Sequence, residues 1–182
     1  PARAAHSPSC KSVGITGQLT GSRANLIIAD DVEVPGNSAT VGARSKLAES
    51  TKEFEAIIVP DTGEIVYLGT PQSQESIYTE LPERGYDVRI YPSRVPEDPG
   101  VYGGRLADYV SSLDGQAGQP TDPDRFSDEE LIEREASYGR TGFQLQYQLD
   151  VRLSDLSRHP LRLTDLIVMD CDSEVAPERV VW

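Results

Sequence analysis

No Gly-x-x-x-x-Gly-Lys-[Ser/Thr] segment occurs anywhere in the 182 residues, so the loop that would cradle nucleotide phosphates is not in this chain. Basic side chains are scarce as well: 17 Lys and Arg stand against 30 Asp and Glu, for a net charge of −13. That balance favours solubility and excludes a surface that grips phosphate backbones everywhere, so any contact with nucleic acid should be local. Only two cysteines are present, Cys10 and Cys171, with no C-x-x-C and no other metal-like spacing. They read as ordinary thiols of a reducing compartment, and no disulfide framework is implied. No apolar run reaches transmembrane length, and the opening PARAAHSPSCKS lacks the apolar centre of a signal peptide. It also lacks an initiator Met, as expected of a piece of a longer protein. The length suffices for one domain with a real core plus a smaller appendage.

What is present is a rhythm of short apolar runs and helical patterns. KSVGITGQLTGSR, broken by Gly14, Gly17 and Gly21, reads as a strand and a tight turn. Leu26 to Ala29 is apolar on both faces, as in a central parallel strand covered by helices on each side. After Asp31 and a loop with Pro35 and Gly36, Asn37 or Ser38 can cap a helix running to about Ile58, with Leu47, Phe54 and Ile58 on one face. GEIVYLGT is a second buried strand, QESIYTELPERG a short helix ending near Gly85, and YDVRIYP a third strand nearer an edge. Strand, helix, strand, helix, strand predicts a parallel α/β sheet. From about Pro92 the segments PSRVPEDPGVYGG and DGQAGQPTDPDRFS read as linkers. Amphipathic helices are expected over roughly Gly104 to Leu113 and Ser127 to Leu149. The second opens on the capping pattern Ser127-Asp128-Glu129-Glu130, with interruptions possible at Gly139 and Gly142.

The chemistry concentrates where ANLIIADDVEVPGNS drives an apolar strand into Asp30, Asp31 and Glu33. In doubly wound α/β proteins ligands bind beyond the carboxyl ends of strands, which is where these acids fall. Nucleotide hydrolysis uses this layout, with one strand-end carboxylate holding Mg²⁺ and a neighbour orienting or deprotonating the attacking water. The competing reading is an ordinary acidic turn, since Asp is favoured there for its own hydrogen bonding. At the end of the next strand, Gly69, Thr70, Pro71 and Gln72 offer a Thr or Gln to sense a γ-phosphate or hold the lytic water. A plain Gly-Pro turn explains the same residues. Arg23 is either a finger for developing phosphoryl charge or a surface arginine. His6 and His159, beside prolines, read as loop residues, and Tyr138, Phe143 and Tyr147 as core or interface rather than a base-stacking platform.

Taken together, SVGITGQLTGSRANLIIADDVEVPGNSAT, IVYLGTPQS, YGRTGFQLQYQLD and HPLRLTDLI resemble the large terminase subunit, or DNA maturase B, of short-tailed bacteriophages, over almost the whole chain. Such subunits join a P-loop ATPase that pumps DNA into a procapsid to an RNase H-like nuclease that cuts concatemers. The resemblance implies a central piece with part of an ASCE-type P-loop NTPase sheet and its flanking helices. Residues 1–96 would be the carboxyl-proximal part of the ATPase, with Walker B and the coupling motif but without Walker A. Residues 97–182 would be a helical linker region leading toward an absent nuclease. Asp30 resembles the Mg²⁺-coordinating Walker B acid, and Asp31 the catalytic carboxylate after it, where many members have Glu. Glu33 is then a candidate to share or take the water-activating role. Gly69, Thr70 and Pro71 resemble the coupling motif, with Gln72 a participant, and Gly69 and Thr70 are placed at the nucleotide. Arg23 resembles an arginine that completes a neighbouring subunit's site. The implied cofactors are ATP and Mg²⁺. The implied partners are double-stranded viral DNA, portal protein, the small terminase subunit and further copies in a ring, with no membrane, in the host cytoplasm and transiently on the procapsid.

Two other functions fit the residues. Asp30, Asp31 and Glu33 could form a two-metal nuclease cluster, or the piece could be a non-catalytic assembly module whose helices dock on the portal or small subunit. Missing central strands would leave apolar faces and unpaired edges, so self-association is expected.

Overall fold

The computed structural model describes residues 9–17 and 21–154. Its centre is a parallel pair, β1 (Leu26–Asp30) and β2 (Glu64–Leu68), joined through the helix α2 (Val41–Ile57). The register runs from Leu26 opposite Glu64 to Asp30 opposite Leu68, so both strands end side by side. This is a βαβ unit, as the alternation of apolar strands with a helical pattern predicts.

A one-turn helix α1 (Pro35–Ser38) precedes α2. The cap of α2 is Thr40, whose hydroxyl accepts from the Ala43 amide at 3.2 Å; Asn37 and Ser38, read above as caps, do other work. The buried residues Leu47, Thr51, Phe54 and Ile57 fall on one stripe of α2. Phe54 and Ile57 meet Ala29 in a core closed by Ile15, Ile27, Val32, Ile65 and Tyr67.

Only one face of the pair is covered by the described residues. Leu26 and Ile28 are 52% and 60% exposed, and Val66 and Leu68 lie open beside them. The expectation of a strand covered on both sides is thus met on the α2 side alone. Parallel sheets are normally buried on both faces, so this patch should behave as an unpartnered apolar surface. It is expected to bind an apolar dye such as anilinonaphthalene sulfonate, with a weaker fluorescence signal in Ile28→Thr/Val66→Thr. An unchanged signal would mean the patch is not the dye site.

Among the described residues the sheet has these two strands only. KSVGITG is irregular with a turn at residues 15–17. YDVRIYP forms a single parallel bridge, Ile90 to Leu106, instead of a third strand. The Ile90 amide donates to the Arg105 carbonyl and Ile90 accepts from Ala107, so the segment pairs away from β2. The short helix before it is α3 (Ile77–Glu80), continued by a 3-10 turn (Leu81–Arg84) and stopped at Gly85 with φ 87°. That left-handed conformation is nearly free for glycine.

Of the Pro- and Gly-rich stretches read as linkers, PSRVPEDPGVYGG is partly packed, while DGQAGQPTDPDRFS stays mostly exposed around a buried Thr121. Pro92, Val95, Pro96, Tyr102 and Thr121 are buried. The Ser93 amide donates to the Tyr147 carbonyl at 2.8 Å, the Arg94 amide to Gln148 Oε1 at 2.9 Å, and the Tyr102 hydroxyl to the Gln148 carbonyl at 2.6 Å. Backbone groups without a regular ladder are satisfied by neighbouring segments. The expected helix at 104–113 shortens to α4 (Asp108–Ser111). The last, α5 (Asp128–Gln146), has the anticipated capping box: the Glu130 amide donates to Ser127 Oγ and the Ser127 amide to Glu130 Oε2. Gly139, with φ 68° and ψ 164°, kinks α5, whereas Gly142 stays helical. Phe143 is buried and stacks on Tyr147 at 5.2 Å, with Tyr138 edge-on to Tyr147, a packing cluster as expected. Among the described residues no helix is long and apolar enough to cross a membrane. His6, His159, Cys171 and the stretch HPLRLTDLI lie outside the described residues.

Candidate functional site at the strand ends

Asp30 is the last residue of β1, opposite Leu68, and the Asp31 amide extends the ladder by donating to the Leu68 carbonyl at 2.9 Å. The adjacent parallel strands therefore deliver Asp30 and Asp31 beside the loop that opens with Gly69 and Thr70. Both acids are exposed, and neither carboxylate takes part in a hydrogen bond or ion pair with another described residue. Asp31 adopts φ 43°, a left-handed conformation that Asp and Asn tolerate better than other non-glycine residues.

The loop behind the acids is held by Asn37. Its Oδ1 accepts from the Val34 amide and its Nδ2 donates to the Val32 carbonyl, both at 2.8 Å. The Ser38 hydroxyl donates to the Val34 carbonyl at 2.8 Å. These bonds fix the chain directly after Asp31, which is why Asn37 and Ser38 are not available to cap α2.

Glu33 does not stand with the other two acids. It is 2% exposed. Its Oε1 accepts from the Gln72 amide at 2.9 Å, and its Oε2 from the Ser76 hydroxyl at 3.0 Å and the Ile77 amide at 2.8 Å. Three donors satisfy a buried carboxylate through strong charge-assisted bonds. Among the described residues no three His, Cys, Asp or Glu side chains converge as a metal cluster.

Of the β2 loop residues, Thr70 and Pro71 are half-buried, and Gln72 is buried with its Nε2 donating to the Thr70 carbonyl at 3.1 Å. The Tyr78 hydroxyl lies against Gly69, where a Cβ would overlap it. Burial, together with the negative charges of Glu33, Asp31 and Asp30, pushes that hydroxyl up to about 12, so it remains neutral. Gly69→Ala is expected to destabilise by about 1–3 kcal/mol through overpacking. Tyr78→Phe should recover part of that loss by removing the atom in closest overlap. Urea midpoints of the two single variants and the double variant check this, and strictly additive costs would refute it.

Arg23 is elsewhere. Exposed and ahead of β1, it donates from Nη1 to the Ala56 carbonyl at 3.3 Å, near the end of α2. The whole of the five-residue strand β1, roughly 16 Å, lies between it and Asp30. The structure thus brings together Asp30, Asp31, Gly69, Thr70 and Gln72, buries Glu33 beneath them, and leaves Arg23 at the opposite pole. Sequence reading missed Asn37, Ser76 and Tyr78 as site-shaping residues. The Pro-Gly-Asn-Ser turn and a Ser beginning a helix were the available signals.

Structurally the chain is an α/β protein, with two open carboxylates and a Gly-Thr-Pro-Gln loop at the common end of a parallel strand pair. No family model matches the sequence. Over an alignment of 192 positions, however, the whole chain is 51% identical to the terminase large subunit of Enterobacteria phage T3 and spans 33% of that protein's length. The chain belongs with the bacteriophage large terminase subunits, over the third of their length that it matches.

Proposed function

We propose that the chain is the Walker B and coupling part of a P-loop, ASCE-type ATPase within a phage large terminase subunit, in which ATP hydrolysis moves double-stranded viral DNA into a procapsid. The observation that carries this reading is the parallel adjacency of β1 and β2, which sets Asp30 and Asp31 beside Leu68, where the Gly69-Thr70 loop begins. Ligand sites in sheets of this class lie at such strand ends.

Two exposed carboxylates with no competing cation suit a hard divalent ion. Asp30 would hold Mg²⁺, which when bound offsets phosphate charge. Asp31 would orient the attacking water and accept its proton. Thr70 and Gln72 would report the state of the γ-phosphate from the neighbouring strand, and the Gly69 backbone would lie at the nucleotide while its open side receives the Tyr78 hydroxyl. The phosphate cradle would come from residues outside this chain. Arg23, at the far pole, would serve a neighbouring copy in a ring and not its own site.

In this reading residues 1–96 belong to the ATPase and 97–182 lead toward a nuclease domain that cuts concatemers. The portal protein and small subunit are its partners, in the host cytoplasm and transiently on the procapsid. The three-acid nuclease reading is disfavoured because Glu33 already serves three protein donors. The test is Mg²⁺-dependent ATP turnover by a full large subunit containing this sequence, with Asp31→Asn against the wild type.

A further inference from the structure

Glu33, in the loop after β1, fastens that loop to the segment after β2 through three bonds at once. Its three partners, the Gln72 amide, the Ser76 hydroxyl and the Ile77 amide, lie 39 to 44 residues further along the chain. They span both ends of the segment that follows Gly69 and Thr70. Among the described residues the strand ends are also linked through the backbone by the Asp31 amide, which donates to the Leu68 carbonyl at 2.9 Å. No Lys, Arg or His forms an ion pair with Glu33 among the described residues. A buried charge without a cation is a poor choice for stability alone, since a well-packed apolar residue commonly does as well or better. Its geometry is demanding, however: only a carboxylate offers acceptor oxygens to all three donors.

We propose that Glu33 is a positioning residue that locks the Thr70–Gln72 loop against the Asp30–Asp31 pair, so that the two strand ends act as one unit during ATP hydrolysis. This rests on the ATPase reading given above. Glu33 touches neither water nor nucleotide in this role. It sets where Thr70 and Gln72 stand relative to Asp31, and its three bonds form or break together when the loop moves. Glu33→Gln keeps the length but turns an amide group toward donors, so at least one bond is lost. Ser76→Ala removes one of the three donors and leaves both amide bonds.

The test uses the full large subunit, wild type, Glu33→Gln and Ser76→Ala. Hydrogen exchange is read by mass spectrometry over residues 69–77, and ATP turnover is measured with DNA present. The expected result for Glu33→Gln is exchange at least 10-fold faster in 69–77 with α2 unchanged, and kcat at least 10-fold lower with KM for ATP within about 3-fold. Ser76→Ala should move both in the same direction by less. Unchanged exchange would overturn the latch whatever the kinetics. Faster exchange with unchanged kcat would reduce Glu33 to a structural brace and also overturn it. A kcat loss equal to that of Asp31→Asn with unchanged exchange would instead make Glu33 the water-activating group. If the wild-type protein turns over no ATP, the ATPase reading fails and the positioning role of Glu33 in hydrolysis fails with it, while the exchange arm separately reports whether the latch exists.

Discussion

Asp31→Asn in the full large subunit is expected to lower DNA-stimulated ATP turnover by at least 100-fold while leaving the fold intact. The substitution is unusually clean. Position 31 sits at φ 43°, where Asn is as well tolerated as Asp, so the backbone need not move. The carboxylate is exposed and makes no hydrogen bond or ion pair with another described residue, so no native contact disappears. What changes is one negative charge and one proton acceptor at the strand end. Removing a positioned general base typically costs 10² to 10⁴ in rate. KM for ATP should change far less, because the Asp30 carboxylate remains. Measuring kcat and KM with Mg²⁺ and DNA, beside a circular dichroism melt, separates these quantities. Turnover within 3-fold of wild type would make the acidic turn scaffolding and remove the basis for assigning hydrolysis to these residues.

Part of this site was legible from residue types alone. An apolar run ending in Asp30-Asp31, followed by a helical pattern and a second apolar run ending in Gly69-Thr70, predicts a βαβ unit with both ends together, and the observed register has that form. The role of Glu33 was not legible, because exposed and buried acids look alike in sequence; its environment is set by amides 39 and 44 positions away. The third strand failed for a related reason. Tyr86, Val88 and Ile90 alternate as an edge strand should, but the partner of Ile90 is Leu106, brought there by left-handed turns at Gly103 and Gly104. Periodicity reports that a segment is half-buried, not what it pairs with. The linker reading of the Pro-rich stretches followed their composition. It missed that Pro92 and Val95 are buried and that Gln148 bonds across to Ser93 and Arg94.

The second large effect expected is on stability. Phe54→Ala should destabilise the protein by about 3–5 kcal/mol, in the range for emptying a buried aromatic site. Phe54 is 4% exposed and packs with Ala29 and Ile57, its ring 5.9 Å from that of Tyr67 on β2. Since α2 covers the one face of the strand pair that the described residues close, this ring contributes heavily to holding β1 and β2 in place. A loss of this size is a large fraction of the 5–15 kcal/mol typical of a whole domain. Ala29 and Val32, which flank Asp30 and Asp31 in sequence, belong to the same cluster, so loosening it should also displace the acids. Ile28→Ala provides the contrast, because Ile28 neighbours Ala29 but points to the open face; its cost should stay within about 1 kcal/mol. Urea unfolding of the two variants decides the matter. Equal destabilisation would show that the face bearing Ile28 is covered after all, and that the sheet is anchored from both sides.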